Sequence, residues 1–145
     1  MIVNVQRKIK FEARAFAGFL ADALDALDEP GGDAAVAFVS DRRMRELNKL
    51  FRGKYGTTDV LSFPHEAESI HAESDGDESG TFLGDIVISA EQAARQAAEN
   101  GLSLDLELKQ LILHGILHLS GYDHETDDGE MNARELELRD KLNIA

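Results

Sequence analysis

Residues 114 to 124 read HGILHLSGYDH, and three of the chain's five histidines fall inside them. Their spacing is H-x-x-x-H-x-x-G-x-x-H. A helix turns about 100° per residue, so His114 and His118 point nearly the same way, one turn apart. Their ring nitrogens can reach one ion. Gly121 can take the left-handed backbone that ends a helix. The chain then folds back and can bring His124 to the same ion. Three imidazoles leave one position of a tetrahedral ion open, as in catalytic rather than structural zinc sites. The expected ion is Zn2+, one per chain, or another divalent ion that accepts imidazole. Such an ion polarises a substrate oxygen or acidifies a bound water. The plainer alternative is a pair of core histidines. Their helix is apolar nearly all round (Leu111, Ile112, Leu113, Ile116, Leu117 and Leu119), and two buried imidazoles need hydrogen-bond partners. A shared metal satisfies both, and the glycine and third histidine at fixed offsets favour it.

The same spacing occurs in metzincin proteases, where a glutamate follows the first histidine and acts as general base. Here Gly115 stands in that place. Glycine takes no proton, so peptide hydrolysis is disfavoured. The nearest carboxylates are Asp123 and Glu125, which read as holding the loop or orienting a histidine from behind. Met131 follows the third histidine by seven residues. A methionine lies beneath the metal in metzincins, but helix packing explains Met131 equally well. The site is metzincin-like in spacing, without the protease's base.

Something must position these groups. Met1 to Val5 alternates weakly and reads as a first strand. Ala13 to Leu27 has helical periodicity (Phe16, Phe19, Leu20, Leu24, Leu27), ended by Glu29-Pro30-Gly31-Gly32. Ala34 to Val39 reads as a buried strand. Ser40 caps a helix from Asp41 to about Phe51. Thr58 to Phe63 and Thr81 to Ile88 read as strands that form a hairpin. Between them, residues 65–80 are acidic, rich in glycine and serine, and aperiodic, which predicts an exposed loop. Ser89 and Gln92 open a helix that Gly101 stops. Ser103 caps the histidine helix, Leu104 to about Leu119. A last helix runs from about Asp128 to Leu142, with Asp127 and Glu130 at capping-box spacing. The expectation is one α/β (α+β) domain over residues 1–145. It has a small mixed four-stranded sheet packed with about five helices, and its site lies on a helix in the C-terminal half.

Composition narrows the function. The chain has 145 residues, no cysteine and a net charge of −13. No thiolate ligand, cysteine nucleophile or disulfide partner is possible. Glu12 and Arg14 interrupt the N-terminus, so no secretion signal is expected there. No apolar run approaches the roughly 18 residues of a membrane helix. A cytoplasmic protein without a membrane partner is expected. Such acidity works against unaided binding to nucleic acid. Arg42, Arg43, Arg45, Lys49, Arg52 and Lys54 oppose it locally, six cations within thirteen residues. Asp85 sits in an apolar strand (Leu83, Ile86, Val87, Ile88), where a charge is costly unless paired. The expectation is that Asp85 orients a ligand or contacts Arg52.

Several blocks in order resemble the YbeY family of bacterial endoribonucleases and rRNA maturation factors. They are NKLFR at 48–52, TTDVLSFP at 57–64, LGDIVIS at 83–89, HGILHLSGYDH at 114–124, then Glu130-Met131 and Glu135. The acidic segment 65–80 is longer than is typical of that family. The resemblance implies a metal-dependent hydrolase fold with zinc on His114, His118 and His124. It implies single-strand endoribonuclease activity, maturation of the 3′ end of 16S rRNA, and ribosome quality control. It implies Arg52 as a functionally important residue in the cleft. With the residue-level reading above, the expected catalytic residues are Arg52 and His114, with Asp85, Asp123, Gly121 and Met131 in support. The implied partners are single-stranded rRNA, the ribosome or small-subunit ribosomal proteins, and an assembly GTPase. The chemistry agrees. Phosphodiester cleavage puts extra negative charge on phosphorus oxygens, which a cation and an arginine fork answer. Two rivals stand beside it: a non-catalytic ribosome-assembly factor with structural zinc, and a metalloprotease.

Overall fold

The computed structural model describes residues 1–27, 32–65, 82–123 and 125–145. The elements in chain order are β1 (Ile2–Asn4), a 3-10 turn (Ala13–Phe16), α1 (Ala17–Ala26), β2 (Asp33–Val39), α2 (Asp41–Arg52), β3 (Val60–Pro64), β4 (Phe82–Ser89), α3 (Ala90–Asn100), α4 (Leu104–Leu119) and α5 (Glu130–Lys141). Four strands form one sheet in the order β1-β2-β4-β3. β1 and β4 each pair with β2 in parallel. β3 pairs antiparallel with β4, from Val60 opposite Ile88 to Pro64 opposite Gly84, and forms an edge. Among the described residues this is the expected small α/β domain, with a mixed four-stranded sheet and five α-helices. The expected acidic loop 65–80, apart from His65, lies outside the described residues.

Side chains alternate across a strand, and the two faces of the sheet carry different cores. Val36, Phe38, Ile86 and Ile88 are fully buried in the main core with residues of α1 and α4 and with Met131 and Leu138 of α5. Val39, Leu61 and Met44 of α2 form a smaller cluster on the other face, with Leu47, Phe63 and Val87 packed against it. α4 supplies more of the main core than any other described element. Leu108, Ile112, Leu113, Ile116 and Leu117 are fully buried, each contributing about 2 kcal/mol of transfer free energy.

Both ends of α4 are fixed locally. The Ser103 hydroxyl accepts from the Leu106 N–H at 3.1 Å. Asp105 and Glu107 complement the helix dipole in the first turn. At the far end the Gly121 N–H donates to the His118 carbonyl and the Tyr122 N–H to the Leu117 carbonyl, each at 3.1 Å. With Gly121 at φ +101°, this is the Schellman closure expected of that glycine.

Two boundaries differ from expectation, and both have side-chain causes. β3 starts at Val60 rather than Thr58, because the Asp59 carboxylate takes the Val60 N–H at 2.8 Å. α5 starts at Glu130 rather than Asp128. There the Asp127 carboxylate accepts the N–H groups of Gly129 and Met131. Among the described residues no helix is long and apolar enough to cross a membrane.

Candidate active site

α4 reaches the sheet at Gly115. A Cβ built there would lie 2.8 Å from Ile86 Cγ2 and 3.0 Å from Cγ1. The Gly115 carbonyl also accepts from the Ser62 hydroxyl of β3 at 3.4 Å. The helix therefore touches β4 by backbone at the residue where a metzincin carries its base. That position faces the sheet, and no side chain of any kind fits it without movement. The metzincin likeness is limited to histidine spacing, since Met131 is a core residue 1% exposed.

His114 and His118 occupy the neighbouring face of α4. Their ring centroids are 4.8 Å apart, with planes crossed at 72°. The Nδ1 of His114 lies 2.7 Å from Glu135 Oε1 of α5. The other carboxylate oxygen of Glu135 takes the Arg139 guanidinium one turn along. Glu135 is only 8% exposed. Burial by itself would raise its carboxyl. The bond and charge of His114, with Arg139, outweigh this and hold it below the ordinary range. A carboxylate on Nδ1 assigns that nitrogen the proton and leaves metal ligation to Nε2. Among the described residues no third histidine or carboxylate joins the pair in a metal-binding set. His124, the third expected ligand, lies outside the described residues. The donors present are imidazoles one turn apart, one of them oriented by a carboxylate, and they suit a divalent ion that accepts nitrogen.

The histidines open onto a cleft of about 630 Å³ along edge strand β3. Arg52, at the end of α2, lines this cleft together with His114, His118, Ser62, Asp123 and Glu125. Structure thus brings Arg52 together with residues 62 to 73 positions further along the chain, His114 to Glu125. Asp123 organises its own loop, as expected. Its carboxylate accepts the Glu125 N–H at 3.0 Å, and its carbonyl accepts from Thr126 and Asp127. Gly121 and Tyr122 also line the cleft.

Asp85 does not take the expected part. It is exposed, sits opposite Phe63 and Ala35 in the sheet, and is not among the cleft's lining residues. Among the described residues it forms no ion pair with Arg52. It shares the Val87 side of β4, which α2 covers only in part, so water solvates it. The neighbouring Gly84 has the tighter constraint. At φ +144°, a Cβ there would stand 2.3 Å from the Phe63 carbonyl and 2.9 Å from Leu119 Cδ2.

Sequence reasoning gave Glu135 and Arg139 no role. A signal was present. Met131, Glu135 and Leu138 form the buried stripe of α5, and a carboxylate in such a stripe requires a partner. A second polar cluster was also missed. Gln96 Nε2 bridges Asp59 at 3.3 Å and Glu107 at 3.2 Å, beside a cavity that reaches the back of His114. The motif residues Thr57 and Ser89 have a structural task. Both hydroxyls donate to Asp41 at the start of α2, at 3.2 and 2.6 Å.

A small α/β domain whose histidine-bearing helix shares a cleft with an arginine offers a site suited to an anionic ligand. Comparison with known proteins narrows this further. The profile of the family Endoribonuclease YbeY matches residues 1–143. The chain is 48% identical over 112 residues to the Endoribonuclease YbeY of Nautilia profundicola, covering 77% of this chain and 73% of that one. It is 48% identical over 118 residues to that of Aquifex aeolicus, covering 79% and 72%. The solution structure of TM1509 from Thermotoga maritima superposes with a TM-score of 0.60 at 28% identity, covering 98% of this chain and 89% of that one. The chain belongs to the YbeY endoribonuclease family.

Proposed function

We propose that this chain is a zinc-dependent, single-strand-specific endoribonuclease of rRNA processing that matures the 3′ end of 16S rRNA and serves ribosome quality control. The observation that carries this reading is the joint placement of Arg52, His114 and His118 in one cleft. Membership of an endoribonuclease family supports the choice of RNA as substrate.

His114, His118 and His124 would hold the ion. When bound, it supplies Lewis acidity toward a phosphate oxygen and the activation of an oxygen nucleophile. The chain's own residues do the rest. Glu135 keeps the His114 proton on Nδ1 and fixes the ring. Arg52 offers a planar fork to the non-bridging phosphate oxygens and answers the charge that grows on them. Gly115 closes the peptidase base position and so speaks against the metalloprotease reading. The single-stranded substrate is reached in the cytoplasm on the ribosome, with small-subunit ribosomal proteins and an assembly GTPase as partners. These partners would offset the repulsion between RNA and a chain of charge −13. A non-catalytic assembly factor with structural zinc is the second reading, and the same acidity favours it.

The test is cleavage of single-stranded RNA by metal-loaded wild type, His114→Ala and Arg52→Ala, with metal content assayed for each. His114→Ala is expected to lose metal and cutting. Arg52→Ala is expected to keep metal and lose about a hundredfold or more in rate, the usual cost of removing one oxyanion-stabilising donor. Equal cutting by all three would assign the activity to a contaminant and put the assembly factor first.

A further inference from the structure

Four of the fifteen lysines and arginines of this acidic chain lie in one row. Arg42, Arg45, Lys49 and Arg52 recur at intervals of three, four and three along α2. That spacing places them in one stripe on the helix, about 15 Å long at 1.5 Å per residue. All four are exposed. Among the described residues none of the four is in an ion pair, whereas Arg43, off the stripe, meets Glu46 at 4.0 Å. The last cation of the stripe, Arg52, lines the cleft that holds His114 and His118. The stripe therefore runs into the site.

An aromatic ring stands beside it. Tyr55 is 85% exposed, and Lys49 Nζ lies 5.6 Å from its ring centroid. The ring is carried on an anchored turn. Gly53 closes α2 in the left-handed conformation, and buried Asn48 donates to the Gly56 carbonyl at 3.1 Å. Phe51, 59% exposed, stands edge-on to Phe63 of β3 at 5.0 Å. Core packing explains neither exposure. A row of cations with an exposed ring is how proteins hold a single strand: phosphates follow the charges, and a base stacks on the ring. A duplex keeps its bases stacked on one another and offers none to the ring.

We propose that Arg42, Arg45 and Lys49 of α2, with Tyr55, form the docking track that leads one RNA strand into the cleft, with Arg52 its last cation. The proposal rests on the endoribonuclease reading and names the surface that selects a single strand for it.

The probe is a fluorescein-labelled, 2′-O-methyl single strand, bound to the metal-loaded full chain and read by anisotropy across a salt series. Cleavage of the unmodified strand is followed alongside. The variants are Arg42→Gln/Arg45→Gln/Lys49→Gln, Tyr55→Ala and Tyr55→Phe, each checked for wild-type circular dichroism and melting. Neutralising three phosphate contacts should lower the salt slope of log affinity by about 2, at roughly 0.7 per contact for single strands. Tyr55→Ala should weaken binding about tenfold and Tyr55→Phe far less, because stacking needs the ring and not the hydroxyl. The loss in cleavage should fall on KM. If wild type binds and cuts while the triple variant keeps its slope and affinity, the track is refuted and the nuclease reading stands. If the triple variant binds RNA normally but no longer stays on small ribosomal subunits, the stripe is a protein dock and the proposal is wrong. If wild type neither binds nor cuts RNA, both fall together.

Discussion

Gly115 lets the site be tested through packing alone. In an ordinary helix interior, glycine to alanine stabilises by about 1 kcal/mol. Here the added methyl meets three atoms of Ile86 at 2.8, 3.0 and 3.1 Å, and Ile86 is wholly buried. Overpacking of this kind costs about 1–3 kcal/mol. Gly115→Ala should therefore destabilise by about 1 kcal/mol where propensity alone predicts the opposite sign. Ile86→Ala removes all three colliding atoms, at a cost of about 2–5 kcal/mol for the cavity. In that background Gly115→Ala should become stabilising by about 1–2 kcal/mol, from helix propensity and one buried methyl. The coupling between the two sites is then about 2–3 kcal/mol, measurable by a urea-denaturation cycle on the four proteins. The consequence for function is positional. α4 carries both histidines, so a shift of the helix off Ile86 moves them relative to Ser62 and Arg52. Gly115→Ala should lose RNA cleavage, and the Ile86→Ala background should restore part of it. If Gly115→Ala simply stabilises the wild-type chain by about 1 kcal/mol, the helix does not rest on the sheet at this point and the account of the missing base fails.

Three further outcomes follow from the buried carboxylates. Glu135→Gln keeps an acceptor for His114 but removes the charge behind it. Zinc affinity by chelator competition should fall about 10–100-fold; unchanged affinity would leave Glu135 as packing only. Burial would raise the Asp41 carboxyl, but hydrogen bonds from Ser89 and Arg95, the Arg95 charge and Thr57 outweigh it and hold it below the ordinary 3.8. The stability it contributes is complete above its unfolded value and is lost as pH falls through the folded one. Asp41→Asn should therefore lower the urea midpoint at neutral pH, with the gap closing in acid; a gap indifferent to pH would refute this. Glu107 has the opposite sign. Burial and the Asp59 charge raise it above the ordinary 4.5, against Gln96 and Arg139. Its favourable state is the protonated one, lost as pH rises through the folded value. Glu107→Gln should gain stability relative to wild type as pH rises, read from the same midpoints.

How much of this was legible in the sequence depended on whether the deciding partner was local. Ser103, Gly121 and the pair His114 and His118 act within a turn of their neighbours, and spacing alone exposed them. Asp85 and Glu135 show where such reading stops. The same argument, that a charge among apolar residues needs a partner, applies to both. It fails for Asp85 because a strand has two faces and α2 leaves that part of one uncovered. It holds for Glu135 because α5 turns Met131, Glu135 and Leu138 together into the core. Its partner His114 lies 21 residues away on another helix. Gly115 shows the same limit from the other side. In the sequence it is an absent base; in the fold it is a contact with Ile86, 29 residues distant. Periodicity tells which residues share a face. Only the packing of one element on another tells which faces are covered, and here that packing separates a solvated aspartate from the carboxylate that orients the first histidine.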